Sequence, residues 1–428
     1  MSGLLQDIEL IGDNIPWLKE ARQKGGEAFL AQGIPTPKTE AWKYTKPNRF
    51  FEREFTCAPK GIRAEIRLPE IPFACYKVCF ENGVFTPKDS ELPDGIEIVP
   101  LIEAVMFRPE IRAHIGNLAQ VENHPFAALN MAYLEEGIYI RVPQGYRLDR
   151  PIALIYHTNV PKDNLMYNVR NLVVVEPEAE LELVEYFGWT GAQKASYFTN
   201  IVNEIEIKTG GVLRHYKVQD EAFKAAHIAL NAVSIGQNGK YKSFCLQKGA
   251  DLGRHETKVL LAEEGAETQV DAAYMMNGWA TLDTTTDIEH QKPNTKSLLL
   301  VKGVVGGQAK GVFQGKIHIE PDAVKTEGYQ LHKAMLLSDE AEIDVKPELE
   351  IFADDVKCSH GAACGQLDKE QLFYMRSRGI GEKKAEQLLI DAYLNDVIAK
   401  IDDEKVNLWI KSLVKTIGTE PSRGENNV

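Results

Sequence analysis

The chain contains 428 residues with a formal net charge of −13, and this length gives an expectation of about three folding units. The excess of acidic residues argues against a free-standing nucleic-acid binder, because such a protein needs a basic surface to displace counterions. Six cysteines are too few for a disulfide framework, and the most apolar stretch, Leu298 to Val305, is much shorter than a membrane span of about 20 residues. Since the N-terminus has no basic segment typical of a secretory signal, we expect a cytoplasmic protein.

The first region, residues 1–137, predicts a mixture of helices and short strands. A helix is expected from Asn14 to Gln32, with a weak point at Gly25-Gly26. Three prolines then exclude a continuous helix and indicate a turn-rich linker. A strand in ACYKVCF and a helix in PFAALNMAYLEEG complete this N-terminal domain.

The second region, residues 138–365, predicts strands, because LELVEYF, FTNIVNEIEI, YKSFCL and HETKVLL show the alternation of half-buried strands. Turn signals at spacings of 33, 29, 26, 29, 27 and 19 residues interrupt it, at Pro177, Gly210, Gly239, Gly265, Asn294, Pro321 and Glu340. A short phrase with a small residue follows four of these turns, with Ala179, Ala266, Ala323 and Ala341 in the middle position. This repetition indicates stacked coils, as in a parallel β-helix. A β-sandwich is the alternative, although Asn238-Gly239 is the one hairpin-type pair in the region.

The third region, residues 366–428, predicts helices and a disordered tail. A short helix in DKEQLFYMRSR precedes a longer one in EKKAEQLLIDAYLNDVIAKI, whose predicted apolar stripe consists of Ala385, Leu388, Leu389 and Ala392. A further helix, EKVNLWIKSLVKTI, carries Trp409. We expect these helices to dock a partner, to cap the end of the β stack, or to do both.

The segment with the most reactive side chains contains Cys358 and His360. On a strand these residues share a face, about 7 Å apart, and a thiolate beside an imidazole suits iron, iron–sulfur units, zinc or copper(I). Two donors do not close a tetrahedral site, so any metal here needs ligands from elsewhere, such as a second subunit. The alternative is an inert, exposed pair.

Other motifs are more simply structural. Cys75 and Cys79 lack a second pair of zinc ligands, and Cys245 is expected to be buried and inert. The glycines between Gly306 and Lys316 lack the spacing and the following helix of a phosphate-binding loop, so they predict a corner between coils. The Gly379–Gly381 segment resembles a DNA-binding helix-hairpin-helix turn, but a turn between packed helices is the simpler interpretation.

Several segments together resemble the SufB/SufD family of iron–sulfur cluster assembly proteins, and the SufD branch more than the SufB branch. They are KTEAWKYT, PNTKSLLLVKGVV, QLFYMRSRGI and the long block GVFQGKIHIEPDAVKTEGYQLHKAMLLSDEAEIDVKPELEIFADDVKCSHGA. The resemblance covers roughly residues 36–400. It implies a right-handed parallel β-helix flanked by N-terminal mixed and C-terminal helical regions.

The resemblance also implies a non-catalytic scaffold for building iron–sulfur clusters and acquiring iron. A SufB subunit would pair through the β-helix edge, or a second copy when SufB is absent, and the ATPase SufC would dock on the C-terminal helices. His360 and Cys358 would contact a transient cluster shared with SufB, and reduced flavin is a family-level association. The partner-binding residues implied by QLFYMRSRGI are Gln371, Phe373, Tyr374, Arg376, Arg378, Gly379 and Ile380. A self-pairing SufB-like scaffold and a nucleic-acid-binding module remain as alternatives.

Overall fold

The computed structural model describes residues 3–57, 71–159, 164–190 and 195–414, and the predicted disordered tail lies outside these residues. The helices are α1 (Pro16–Gln32), α2 (Asn48–Phe51), α3 (Leu101–Phe107), α4 (Pro125–Ala132), α5 (Lys369–Ser377), α6 (Glu382–Ile398) and α7 (Glu404–Val414). Short 3₁₀ helices cover Glu40–Trp42, Pro87–Asp89 and Pro109–Ala113. The strands are β1 (Thr56–Cys57), β2 (Tyr76–Glu81), β3 (Val84–Phe85), β4 (Glu97–Pro100), β5 (Ile138–Val142), β6 (Ile152–Asn159), β7 (Leu165–Val175), β8 (Glu180–Thr190), β9 (Tyr197–Ile207), β10 (Val212–Glu221), β11 (Ala226–Ile235), β12 (Lys240–Gly249), β13 (Leu252–Leu261), β14 (Glu267–Met276), β15 (Thr281–His290), β16 (Lys296–Val305), β17 (Lys310–Ile319), β18 (Thr326–Leu336), β19 (Glu342–Ile351) and β20 (Val356–Gln366).

The strands form two sheets that the chain visits alternately. Sheet A has the order β19-β17-β15-β13-β11-β9-β7-β5-β4, with β1 beside β7, and sheet B has the order β20-β18-β16-β14-β12-β10-β8-β6-β2-β3. From β5 to β20 the neighbouring strands are parallel, whereas the β2–β3 and β4–β5 pairs are antiparallel. The prediction of a parallel β-helix is therefore confirmed, and the β-sandwich is wrong.

The repeating turn signals mark one corner of each coil. From β8 onward the strands of sheet B begin at Glu180, Val212, Lys240, Glu267, Lys296, Thr326 and Val356. The first six predicted turns each precede one of these strands, but the turn at Glu340 precedes β19 of sheet A. That difference explains its short spacing of 19 residues. The corner alanines Ala179, Ala266 and Ala323 are fully buried where the coils stack, so a larger side chain there would have to displace its neighbours.

The space between the sheets holds aliphatic side chains and a ladder of polar ones. Asn171, Asn203 and Asn231 lie on successive strands of sheet A, and the amide nitrogens of the first two each donate to the amide oxygen of the next asparagine at 2.8 Å. A shift of one residue would break every rung, so the ladder fixes the register of these coils.

The N-terminal region packs on the outer face of sheet A. Trp42 is 3% exposed, and the Arg254 guanidinium of β13 lies 4.3 Å from the centre of its ring. The predicted weak point in α1 is wrong, because α1 is continuous through Gly25. A Cβ on Gly25 would lie 2.8 Å from the Ala128 carbonyl oxygen, so this glycine allows α1 to cross α4 closely.

The C-terminal helices pack on the outer face of sheet B. The predicted stripe of α6 is wrong at Leu388 and Ala392, which are exposed. Ala385 is buried as predicted, and the other buried residues of α6 are Ile390, Leu394, Val397 and Ile398. The reason is that α6 lies across β14 and β16, and this contact selects a face that the short apolar pattern did not distinguish.

Candidate functional site

The stack ends at two strands with one neighbour each, β19 in sheet A and β20 in sheet B. We call this end, Glu342–Ile351 with Val356–Gln366, the open end. An unpaired strand edge presents free backbone N–H and C=O groups to another chain. Most side chains of β20 are exposed, and the strand carries small residues over most of its length. Lys357 is the one charged side chain on this edge strand, and the stretch from Gly361 to Gly365 carries no bulky or charged side chain that would hinder pairing.

Cys358 and His360 lie on this edge strand, two residues apart as predicted. Val356 and Cys358 are half-buried and pack against the cluster between the sheets, so alternation places His360 on the same inward face. Burial raises the pKa of the Cys358 thiol, and the Gly328 backbone partly opposes this effect. His360 is exposed, because no further coil covers it.

This pair does not complete a metal site by itself. In the described part of the chain, no group of three His, Cys, Asp or Glu side chains is arranged to hold a metal ion. The third nearby thiol, Cys364, is exposed farther along the same strand. The open end therefore offers one soft thiolate donor, from Cys358, and one imidazole donor, from His360, with room for donors from outside the chain.

Two polar side chains of β18, the strand next to β20, were not found by sequence reasoning. Gln330 of β18 is register-paired with His360 and is 2% exposed. His332 is fully buried, and burial lowers its pKa to about 4. Its Nε2 lies 2.7 Å from the Tyr274 hydroxyl, and its ring stacks on Phe313 at 4.9 Å. No motif marks these residues, because only the strand register brings them to the open end.

The other candidate residues have structural roles in this fold. Cys75, Cys79 and Cys245 are buried, and burial raises the pKa of Cys245 to about 12. Gly307 has a φ of 63° at the corner before β17, as the coil-corner interpretation predicts. His318 lies on the outer face of sheet A, with ring nitrogens 2.9 Å from Glu350 and 3.2 Å from Glu320.

The predicted partner-binding residues lie on α5 and on the turn after it. Helix α5 contains no buried residue, and its aromatic side chains Phe373 and Tyr374 are 73% and 58% exposed. On the same surface, Gln371 and Arg376 are also exposed. A cavity of about 250 Å³ lies between α5, α6 and the corner that joins β18 to β19, lined among others by Leu336, Leu372 and Ile390.

The turn between α5 and α6 explains the Gly379–Gly381 motif. Gly379 has a φ of 84°, its N–H donates to the Arg376 carbonyl, and the Ile380 N–H donates to the Met375 carbonyl. This is the usual glycine cap of a helix C-terminus, so the interpretation as a turn between helices is confirmed. The exposed Arg378 donates to the Tyr374 hydroxyl at 3.1 Å.

Helix α6 is bound to sheet B through one buried cation. The Lys302 side chain of β16 is 4% exposed, and its Nζ donates to the Tyr393 carbonyl at 2.8 Å and to Asp396 at 2.6 Å. The ammonium also lies 4.3 Å from the Tyr393 ring centre. Lys302 is two strands from β20, so α6 is mechanically connected to the sheet that ends in the candidate site.

Comparison with known proteins assigns the family. The family model described as "SUF system FeS cluster assembly, SufBD core domain" matches residues 157–393. A second family model, described as "SufBD protein N-terminal region", matches residues 6–154. The chain belongs to the SufBD family. It is 31% identical to the SufBD family protein slr0076 of Synechocystis, over 94% of this chain and 91% of the relative.

Identity to named SufD and SufB proteins differs slightly. The chain is 29% identical to the iron–sulfur cluster assembly protein SufD of Escherichia coli, over 88% of each chain. It is 24% identical to SufB of Bacillus subtilis, over 91% of this chain and 87% of the relative. The SufBD family acts in iron–sulfur cluster assembly, which matches the soft donors at the open end. No described helix of this chain is long and apolar enough to span a membrane.

Proposed function

We propose that this SufBD protein is a SufD-like scaffold subunit on which an iron–sulfur cluster is built together with a SufB-type subunit. The observation that carries the proposal is the incomplete donor pair at the open end. Cys358 and His360 share the inward face of an unpaired edge strand, and the described chain adds no third ligand. A nascent cluster needs more donors than this pair, so a partner seated on the same edge would complete the site.

The unpaired edge of β20 favours a partner that is itself a β-helix over a partner that contacts side chains alone. One edge of β20 is paired with β18 and the other is unpaired along its 11 residues, of which Gly361 to Gly365 are small. A strand of the partner would pair with the free backbone groups of the unpaired edge and cover the exposed face of His360 at the same time. A second copy of this chain, seated on the same edge when no SufB-type subunit is present, is the alternative partner.

The helix α5 supports a second partner, a SufC-type ATPase. Its exposed Phe373 and Tyr374 and the neighbouring cavity provide an apolar anchor with a polar rim that contains Gln371, Arg376 and Arg378. Motion of an ATPase pair would pass through α6 and Lys302 into sheet B. It would thereby loosen the open end and admit iron and sulfur.

In this proposal the chain is not an enzyme, and ATP hydrolysis belongs to the SufC-type partner. Iron acquisition would occur at the same donors. Reduced flavin remains an association of the family, and we assign no residue of this chain to flavin binding. The cytoplasmic location stays a prediction, and a chloroplastic Arabidopsis protein, ABCI7, is 29% identical to this chain.

The test is cluster assembly in the complex with His360→Ala. Ser359→Ala is the matched control, because Ser359 is exposed on the same strand but faces outward. We expect His360→Ala to abolish iron and sulfide incorporation while the complex still co-purifies, and Ser359→Ala to leave incorporation unchanged. Normal incorporation in the His360→Ala complex would reject the proposal.

A further inference from the structure

The two edge strands of the open end differ in the backbone groups that they leave free. On the β19 side, the Glu342 N–H donates to the Ala309 carbonyl, and the Phe352 N–H donates to the Ile319 carbonyl, so both bonds run towards β17. The register between β17 and β19 is unbroken over the whole of β19. Because the directions of the N–H groups alternate along a strand, the even-numbered residues of β19 donate to β17 and the odd-numbered ones face the free edge. The free-edge positions of β19 are Ile343, Val345, Pro347, Leu349 and Ile351.

The central free-edge position of β19 has no N–H, because it is Pro347. Proline lacks this donor, and its ring stands where the backbone of a pairing strand would approach. The outer face of β19 also carries four carboxylates and Lys346, and charged side chains are a second feature that keeps an edge strand from pairing. The edge of sheet A is therefore protected against the addition of a further strand.

The edge of β20 is open along its length. In sheet B the same register position donates to the preceding strand in successive coils, from the Lys296 N–H to the Ala266 carbonyl and from the Glu327 N–H to the Thr295 carbonyl. Glu327 is register-paired with Lys357, so Lys357 and the other odd-numbered residues of β20 donate to β18. The even-numbered residues present their N–H groups at the free edge, and none of them is proline: Val356, Cys358, His360, Ala362, Cys364 and Gln366.

We infer that the SufB-type partner adds a strand to β20 alone, and that across β19 the two chains meet only through side chains. This inference rests on the proposed function. A strand added to β20 continues sheet B into the partner through an unbroken row of backbone hydrogen bonds. At β19 only two free-edge donors remain on each side of Pro347, so no such row forms. The inner face that carries Cys358 and His360 then stays accessible from the β19 side.

The first test is amide hydrogen exchange, measured by mass spectrometry on the chain alone and on the complex with SufB- and SufC-type subunits. We expect the free-edge amides of β20 to slow by roughly a hundredfold or more in the complex, because each becomes hydrogen-bonded. The free-edge amides of β19 should slow by less than about tenfold. Comparable slowing in both strands would show that both sheets continue into the partner, which overturns the inference and leaves the proposed function standing.

Two matched proline substitutions test the same point through the affinity for the SufB-type subunit. Ala362→Pro and Val345→Pro each remove one N–H that faces a free edge and makes no hydrogen bond within its own sheet. We expect Ala362→Pro to weaken the affinity by roughly tenfold or more, because it removes one pairing hydrogen bond and places a ring in the path of the added strand. Val345→Pro should change the affinity by less than about threefold.

Urea unfolding of each variant alone checks that it still folds, and the exchange experiment on the unchanged chain needs neither variant. Equal losses of affinity in the two variants, or no loss in Ala362→Pro, would overturn the inference. Failure of the proposed function is distinguished from these outcomes, because it is measured as cluster assembly in the His360→Ala complex.

Discussion

We expect the free energy of unfolding to depend on pH through Asp271. Asp271 lies on β14 beneath the C-terminal helices and is 4% exposed, and burial raises its pKa to about 7. Hydrogen bonds from Gln269 at 2.5 Å and from the Leu300 N–H at 3.0 Å, with the charge of Lys400, oppose the shift without cancelling it. The folded protein therefore holds a proton that the unfolded chain, with an ordinary pKa of 3.8, has already released.

The magnitude follows from this difference. Between the two pKa values the folded state binds more protons, so the free energy of unfolding falls as pH rises, by about 1.4 kcal/mol per pH unit. The full loss is about 4 kcal/mol and is complete above about pH 7. Of this, about 2–3 kcal/mol falls between about pH 5 and about pH 8. The Asp271→Asn variant has no such proton to lose and should lack this part of the pH dependence.

The assay is urea unfolding of both proteins at about pH 5 and about pH 8. Asp271→Asn should gain stability relative to the unchanged chain on going to the higher pH, by about 2–3 kcal/mol. The control is Asp322→Asn at an exposed corner, which should leave the pH dependence unchanged. If Asp271→Asn and the unchanged chain show parallel pH dependence, the reasoning is refuted.

Three further predictions concern packing contacts of the two layers outside the sheets. Lys302→Met should speed amide hydrogen exchange in α6 by roughly tenfold to hundredfold, because it removes charge-assisted hydrogen bonds worth about 1.5–3 kcal/mol. Trp42→Ala should lower the free energy of unfolding by about 3–5 kcal/mol, because Trp42 is 3% exposed under Arg254. Gly25→Ala should destabilise the protein by about 1–3 kcal/mol, as measured by urea unfolding, because its Cβ would collide with α4.

Each of these predictions has a matched control in the chain. Lys333→Met changes the neighbouring lysine on β18, and equal exchange rates in both lysine variants would contradict the role of Lys302. Trp279 is 47% exposed, so Trp279→Ala should cost much less than Trp42→Ala. At Gly26 a Cβ would meet no atom closer than 3.7 Å, so Gly26→Ala should stabilise α1 by about 0.5–1 kcal/mol. A loss of stability there would refute the packing argument.

The sequence predicts the repeating part of the fold well, because each coil carries its own local signal. Small residues such as Ala179 and Ala266 recur at the corners, and strand alternation is visible without tertiary information. The predicted apolar stripe of α6 was wrong in part, because residues of similar hydropathy allow more than one stripe along this helix. Only the contact with β14 and β16 selects the face that is buried. The contact of Trp42 with Arg254 joins distant segments and has no local signal.

The candidate site was predictable only in part for the same reason. The spacing of Cys358 and His360 shows that they share a strand face, and the structure adds that this strand is an unpaired edge. Gln330 and His332 come to lie next to β20 only through the register of β18 with β20. The sequence pattern does not reveal which residues of β18 and β20 are paired, because the coils differ in length.

The central claim is that the cluster site is shared across the open end. The most direct measurement is anaerobic reconstitution with iron and sulfide, on the chain alone and then with SufB- and SufC-type subunits, with bound iron and sulfide determined in each case. We expect no stable cluster on the chain alone, and a stable cluster in the complex that disappears in His360→Ala. A stable cluster on the chain alone, unaffected by His360→Ala, would contradict the central claim.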